Sequence, residues 1–148
     1  MAVLPTKARR TLIQACVDSL VQAGVWDKLD ALYVMAAHDE QAARVNWIGA
    51  GGQDLTNVNG CTFDPNRGLQ GDGSTSYLST TLAGNAADNY SRDSAFAAVW
   101  SLSNATSNTG HDISGAGGMY INGRSVAGLL TMRGNNASAS SSTFAVAD

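Results

Sequence analysis

From Ser94 to Ala147 this chain carries only three charged side chains, Asp112, Arg124 and Arg133. Glycine, serine, asparagine and threonine separate short apolar runs. Short runs bounded by turn residues read as strands. SAFAAVWSL, residues 94 to 102, is apolar on both faces around Phe96, Val99 and Trp100. That pattern predicts a central strand with Trp100 in the core. MYINGRSVAGLLTM places Asn122-Gly123 between apolar runs, a strong short-range hairpin signal. STFAVA, residues 142 to 147, reads as a further strand, and RGNNASASSST before it as a polar loop.

The start of the chain has a different character. The first 46 residues hold ten charged side chains, and the remaining 102 hold eleven. Leu12, Ile13, Cys16, Val17, Leu20 and Val21 recur at helical spacing on one stripe. Thr6 is the expected N-cap and Gly24 the expected stop. A second helix is expected from Val25 or Trp26 to about Met35, with Trp26, Leu29, Leu32, Tyr33 and Ala36 on its inner face. Asp39 is expected to cap a short third helix over Gln41 to Val45. Helices this short cannot stand alone and must pack on something. The expected organisation is a helical docking lead over residues 1–47 and a β region over 48–148. Trp47 is expected at the junction between them.

Composition narrows the functions. The net charge of −3 excludes the broad basic face that duplex nucleic acid requires. Lys7, Arg9 and Arg10 cluster at the start of the first helix; nucleic acid is one reading, a solvated face or an acidic docking surface on a partner the other, and three charges support no more. No apolar run approaches the ~20 residues of a membrane span. The N-terminal sequence has positive charges before apolar residues, as a signal peptide does. Gln14 and Asp18 interrupt it, so a folded amphipathic helix is expected and no exported precursor. The two cysteines, Cys16 and Cys61, form no disulfide framework or metal-ligand cluster. Cys16, on the apolar stripe, is expected to be a buried free thiol.

The stretch RGLQGDGSTSYLSTTL, residues 67 to 82, looks at first like a phosphate loop. A P-loop needs a lysine after the glycines, and a dinucleotide loop needs a helix. Here a β-prone alternation follows instead. The expected arrangement is a strand at Gly68–Gln70, a turn at Gly71–Ser74 and a strand at Tyr77–Thr80. Asp72, Asp88 and Asp112 are the loop carboxylates that calcium would use, but isolated loop aspartates read as turn-formers. No cofactor is expected. Asp64-Pro65-Asn66 signals another turn.

LQGDGSTSYLSTT resembles the early hairpin of laminin-G-like and concanavalin-A-like sandwiches. Those families include lectins, glucanases and many bacteriophage structural proteins. The longer stretch LDALYVMAAHDEQAARVNWIGAGGQDLTNVNGCTFDPNRGLQGDGSTSYLSTT, from residue 29, resembles the start of a phage or prophage virion protein. In that family a helical lead with MAAHDEQAA-x-x-NW precedes the sandwich. The resemblance implies an α+β chain, mainly β, with N-terminal short helices followed by an antiparallel concanavalin-like (jelly-roll) β-sandwich. Six or seven candidate strands are too few for a complete sandwich, so either the sheet is incomplete at the C-terminus or the chain is part of a longer polypeptide.

Chemistry is sparse. Retaining glycosidases need two close carboxylates, and the single glutamate, Glu40, lies in the lead. A fragment of a glycan hydrolase is therefore the weakest reading. His38-Asp39-Glu40 reads as a helix start whose side chains diverge. His111-Asp112 lies in a Gly/Ser-rich loop with no nucleophile elbow. The expected function is non-enzymatic: a structural component of a virion assembled in the host cytoplasm, with other virion subunits and copies of itself as partners. Leu12, Ile13, Val17, Leu20 and Val21 would form the docking face. Tyr90 and Tyr120 are candidate contacts to a host surface glycan or a partner. A carbohydrate-binding module or lectin is the alternative.

Overall fold

The computed structural model describes residues 3–49, 52–82, 89, 96–102, 112–115, 120–122, 129–133 and 141–145. It is a mixed helix and antiparallel-sheet protein, in agreement with the α+β expectation. Two compact units divide between Asn89 and Tyr90. The helices and the first four strands thus share one unit, beyond the change in composition at residue 47.

Helix α1 spans Lys7–Gln22. Thr6 caps it as expected, its hydroxyl accepting from the Arg9 amide at 3.3 Å. At the other end Gly24 adopts a φ of 63°. Its amide donates to the Val21 carbonyl and that of Val25 to the Leu20 carbonyl, which closes a Schellman motif.

The expected second helix does not form. Only Trp26–Lys28 make a single 3-10 turn, and Leu29 is already extended. Leu32 shows why. Its amide donates to Asn46 Oδ1 at 3.0 Å and its carbonyl accepts from the Trp47 amide at 2.9 Å. Tyr33 forms an isolated antiparallel bridge with Asn46. Backbone groups held by distant partners are unavailable to an i→i−4 ladder, so tertiary bonds override the helical periodicity. The third helix forms as α2, Glu40–Arg44, with Asp39 Oδ1 accepting from the Gln41 and Ala42 amides.

Four strands complete the first unit: β1 (Thr56–Val58), β2 (Thr62–Asp64), β3 (Gly68–Gln70) and β4 (Tyr77–Ser79). β2 and β3 form a hairpin around the expected Pro65-Asn66 turn, where Asn66 takes a φ of 64°. β1 pairs with β4 outside it. The expected strands at residues 68 and 77 exist, but they do not pair with each other. The strand pairs are nested, so Gly71–Ser76 is an excursion on the returning arm, opposite Asn59–Cys61 on the outgoing arm. Asn59 Nδ2 donates to the Thr75 carbonyl at 3.0 Å and ties the two excursions together.

The buried apolar residues of this unit are Ala37, Ala43, Leu55 and Cys61. Gly68 is buried too, with a φ of 125° and an added Cβ 3.5 Å from the Met35 Cβ. That spacing is ordinary contact, so the backbone angle alone excludes other residues. Gly68→Ala should lower stability by about 2 kcal/mol. An unchanged thermal midpoint would show that the hairpin relaxes freely.

In the second unit β5 (Ile113–Ser114), β6 (Tyr120–Asn122), β7 (Leu129–Arg133) and β8 (Ser141–Ala145) form an antiparallel meander. β8 agrees with the expected last strand. β6 and β7 pair as expected, but Asn122 faces Thr131, so a tight Asn122-Gly123 turn does not set the register. Asn122 belongs to the strand itself. The expected central strand at 94–102 is a further correction. Its described part, 96–102, is not a strand, and Trp100 is 89% exposed rather than in the core. An apolar run specifies a wish for burial but not the neighbour that supplies it.

Candidate functional site

Helix α1 leaves part of its apolar surface open to water. None of its residues is buried. Ile13, Val17 and Leu20 are half-buried along its inner side. Leu12 is 72% and Val21 54% exposed, and Cys16 is an exposed free thiol rather than the buried one expected. The stripe is wider than the surface beneath it, so its middle meets the protein and its rims meet water. Val3 and Leu4, just before the helix, are exposed as well.

The helix is anchored by polar contacts at its first turns. Arg9 Nη1 donates to the Ala36 carbonyl at 3.2 Å, and Nη2 donates to Asn66 Oδ1. His38 Nε2 lies 2.7 Å from the Val3 carbonyl. Arg10 Nη1 donates to the Pro5 carbonyl at 2.7 Å. Two of the three clustered cations therefore have intramolecular partners, and Arg9 serves as a strut.

The buried polar side chain among the described residues of this unit is Asn46, 1% exposed. Its Oδ1 accepts from the Leu32 and Ile48 amides at 3.0 and 3.2 Å, and its own amide donates to Asp54 Oδ1 at 2.9 Å. Its Nδ2 has no hydrogen-bond partner. Beside it, Arg44 Nη1 donates to the Leu55 carbonyl, while Leu55 N donates to the Arg44 carbonyl. Arg44 Nε lies 3.9 Å from Glu40 Oε1, within ion-pair reach but beyond a hydrogen bond. Sequence reasoning missed Asn46. A single buried asparagine has no periodicity, and its only local signal was its place between a helix end and Trp47.

The glycine-rich stretch is a loop organised by its one acid. Asp72 Oδ1 accepts from the Ser74, Thr75 and Ser76 amides at 2.9, 2.8 and 2.9 Å, and from Ser76 Oγ at 2.9 Å. Oδ2 accepts from Thr75 Oγ1 at 2.7 Å. The Ser76 amide first, then those of Ser74 and Thr75 with the Thr75 hydroxyl, hold the carboxyl far below the usual aspartate range. The turn-former reading explains every one of these bonds. Because the folded-state pKa is depressed, the loop's contribution to stability is present above the unfolded midpoint of ~3.9 and lost as pH falls through the folded one. Carbon-detected NMR should find Asp72 still ionised about one unit below that midpoint. A normal titration would show that the loop opens in solution.

The other candidates do not converge. Asp39 is spent on capping, His38 faces Val3, and Glu40 accepts from Asn57 Nδ2 at 3.3 Å. Asn57 also brackets the Asn59-Gly60 turn, accepting from the Cys61 amide and donating to its carbonyl. Trp26 and Trp47 are half-buried in the first unit. Tyr120 is half-buried on β6, whereas Tyr90, Asp88 and His111 lie outside the described residues. Among the described residues no three His, Cys, Asp or Glu side chains gather as metal ligands. No helix among them is long and apolar enough to cross a membrane. Among the described residues the most exposed aromatic side chains are Trp100 and Phe96, the latter at 80%.

In comparisons with known proteins, no family model, curated protein or solved structure matches the chain.

Proposed function

We propose that this chain is a structural, non-enzymatic component of a phage-like virion. In this reading α1 docks onto other virion subunits, and the strands belong to a jelly-roll sandwich that faces outward. The observation that carries it is the apolar stripe of α1, which is anchored at its start yet has no buried residue. A 16-residue helix with this much uncovered apolar surface gains its stability from a partner. The resemblance of residues 29 to 83 to virion proteins supplies the class of partner. A charge-poor surface rich in small polar residues suits packing against symmetric copies.

Peptide mass spectrometry on density-purified particles, from a culture whose genome encodes this chain, tests the proposal. Peptides at a fixed ratio to the main shell protein are expected. Their absence from particles, with the chain in the soluble fraction, would overturn it.

A second reading is a glycan-binding surface, and the exposure of Phe96 and Trp100 favours it. Flat aromatic faces open to water are suited to stacking on apolar sugar faces. A glycan screen with the wild-type chain and Trp100→Ala separates the two readings. Saturable binding that the substitution removes would support a lectin function.

A further inference from the structure

The polar ties of α1 to the rest of its unit all lie at one end of the helix. Arg9, Ile13, Val17 and Leu20 are half-buried and fall on one stripe at helical spacing. Arg9 heads that stripe, and its guanidinium spans two acceptors, the Ala36 carbonyl and Asn66 Oδ1. The two acceptors belong to a joined floor, because the Asn66 amide donates to the carbonyl of the buried Ala37 at 2.7 Å. His38 Nε2 against the Val3 carbonyl adds a tie on the same side. Further along, the polar side chains bond within the helix: Thr11 to the Lys7 carbonyl, Gln14 to Asp18, and Ser19 to the Ala15 carbonyl. Among the described residues, no hydrogen bond joins residues 11 to 22 to anything past Val25.

The opposite end has the features of a joint. Gly24 takes a φ of 63°, and a Cβ added there would meet nothing within 4 Å. Of the named elements, α1 packs closely on the 3-10 turn Trp26–Lys28, directly past this glycine. Hinges are commonly element-terminal residues with room to change φ and ψ. Rotation about Gly24 and Val25 would carry the helix as a body. It would break the Arg9 and Val3 ties and uncover residues that are only half-buried to begin with.

We propose that α1 is a latched strap: Gly24 is its joint, the Arg9 fork onto Ala36 and Asn66 is its latch, and opening bares Ile13, Val17 and Leu20. A planar guanidinium reaches two acceptors at once, as a single ammonium does not. Arg9 also stands near the positive end of the helix, where the dipole disfavours a cation. Its two acceptors, and not the helix, therefore hold it in place. The inference goes beyond the docking reading, since it concerns how α1 is held on its own unit, with or without a virion subunit.

Maleimide labelling of the full chain tests the strap. Val17→Cys, combined with Cys16→Ser, puts a thiol on the half-buried stripe, while the buried Cys61 reports opening of the strands. Arg9→Ala is expected to speed labelling at position 17 about tenfold and to leave Cys61 unlabelled. This substitution favours the helix itself, by propensity and by removing a cation from its positive end, so fraying is not the source of a faster reaction. Asn66→Gly keeps the left-handed turn and removes one acceptor, and should give a smaller rise. Arg9→Lys should fall between the parent and Arg9→Ala. Parent-like labelling in both Arg9→Ala and Asn66→Gly would overturn the latch. So would position 17 and Cys61 reacting in step, which would make α1 part of one cooperative unit. Particle content is read separately. The expected labelling in a chain absent from particles would leave the strap standing and defeat the docking reading. Parent-like labelling in a chain that enters particles would do the reverse.

Discussion

Asn46→Ala is expected to lower the stability of the first unit by about 2 kcal/mol, the cost of stranding two part-buried amides. The asparagine oxygen is the partner of both the Leu32 and Ile48 amides in a site with almost no access to water. The side-chain nitrogen is unpartnered, so its removal returns a little and keeps the loss below the sum for two full hydrogen bonds. The change also frees the segment that Leu32 and Tyr33 hold extended. Urea unfolding followed by tryptophan fluorescence reads this directly, because Trp26 and Trp47 are half-buried in that unit. A midpoint equal to that of the parent would show that water reaches the freed amides.

Leu20→Asp is expected to abolish incorporation into particles while leaving the strands folded. Leu20 lies in the half-buried middle of the α1 stripe. A carboxylate there is desolvated when a partner closes over the rims. A penalty of a few kcal/mol would reduce association by roughly a hundredfold or more. Leu20 also touches its own unit, so the exposed Leu12→Asp is the cleaner companion. Both are expected to be depleted from purified particles relative to the main shell protein. Unchanged incorporation of both would end the docking reading, whatever the chain does as a free protein.

Local chemistry accounts for what was legible in the residues. The ends of α1 were readable because a threonine cap and a glycine stop act within one turn. α2 was readable from Asp39, which satisfies two amides by itself. The Pro65-Asn66 reversal and the Asp72 loop were readable for the same reason, since their bonds lie within a few residues. The failures share an opposite cause. Residues 29 to 36 have helical spacing, but Asn46 and Trp47 claim the backbone of Leu32 from a distance. Residues 96 to 102 have the composition of a buried strand and lie exposed. The apolar stripe of α1 was legible from its spacing. Which of its members met the protein and which met water was not, and Cys16 fell on the wet side.

The sequence by itself determined the two ends of α1, the capped start of α2, the Pro65-Asn66 reversal, and that Asp72 belongs to its own loop. Those outcomes depend on hydrogen bonds that close within a few residues, so a short window contains every participant. Only the tertiary structure decided that β1 pairs with β4 around the β2–β3 hairpin, and that the glycine-rich stretch is an excursion on the returning arm. It alone decided that Asn46 takes the amides of Leu32 and Ile48, and that Leu12, Cys16 and Val21 on α1 stay exposed. Pairing and burial are contests among distant segments for the same backbone groups and the same apolar surface. The winner depends on all competitors at once, and no local pattern records it.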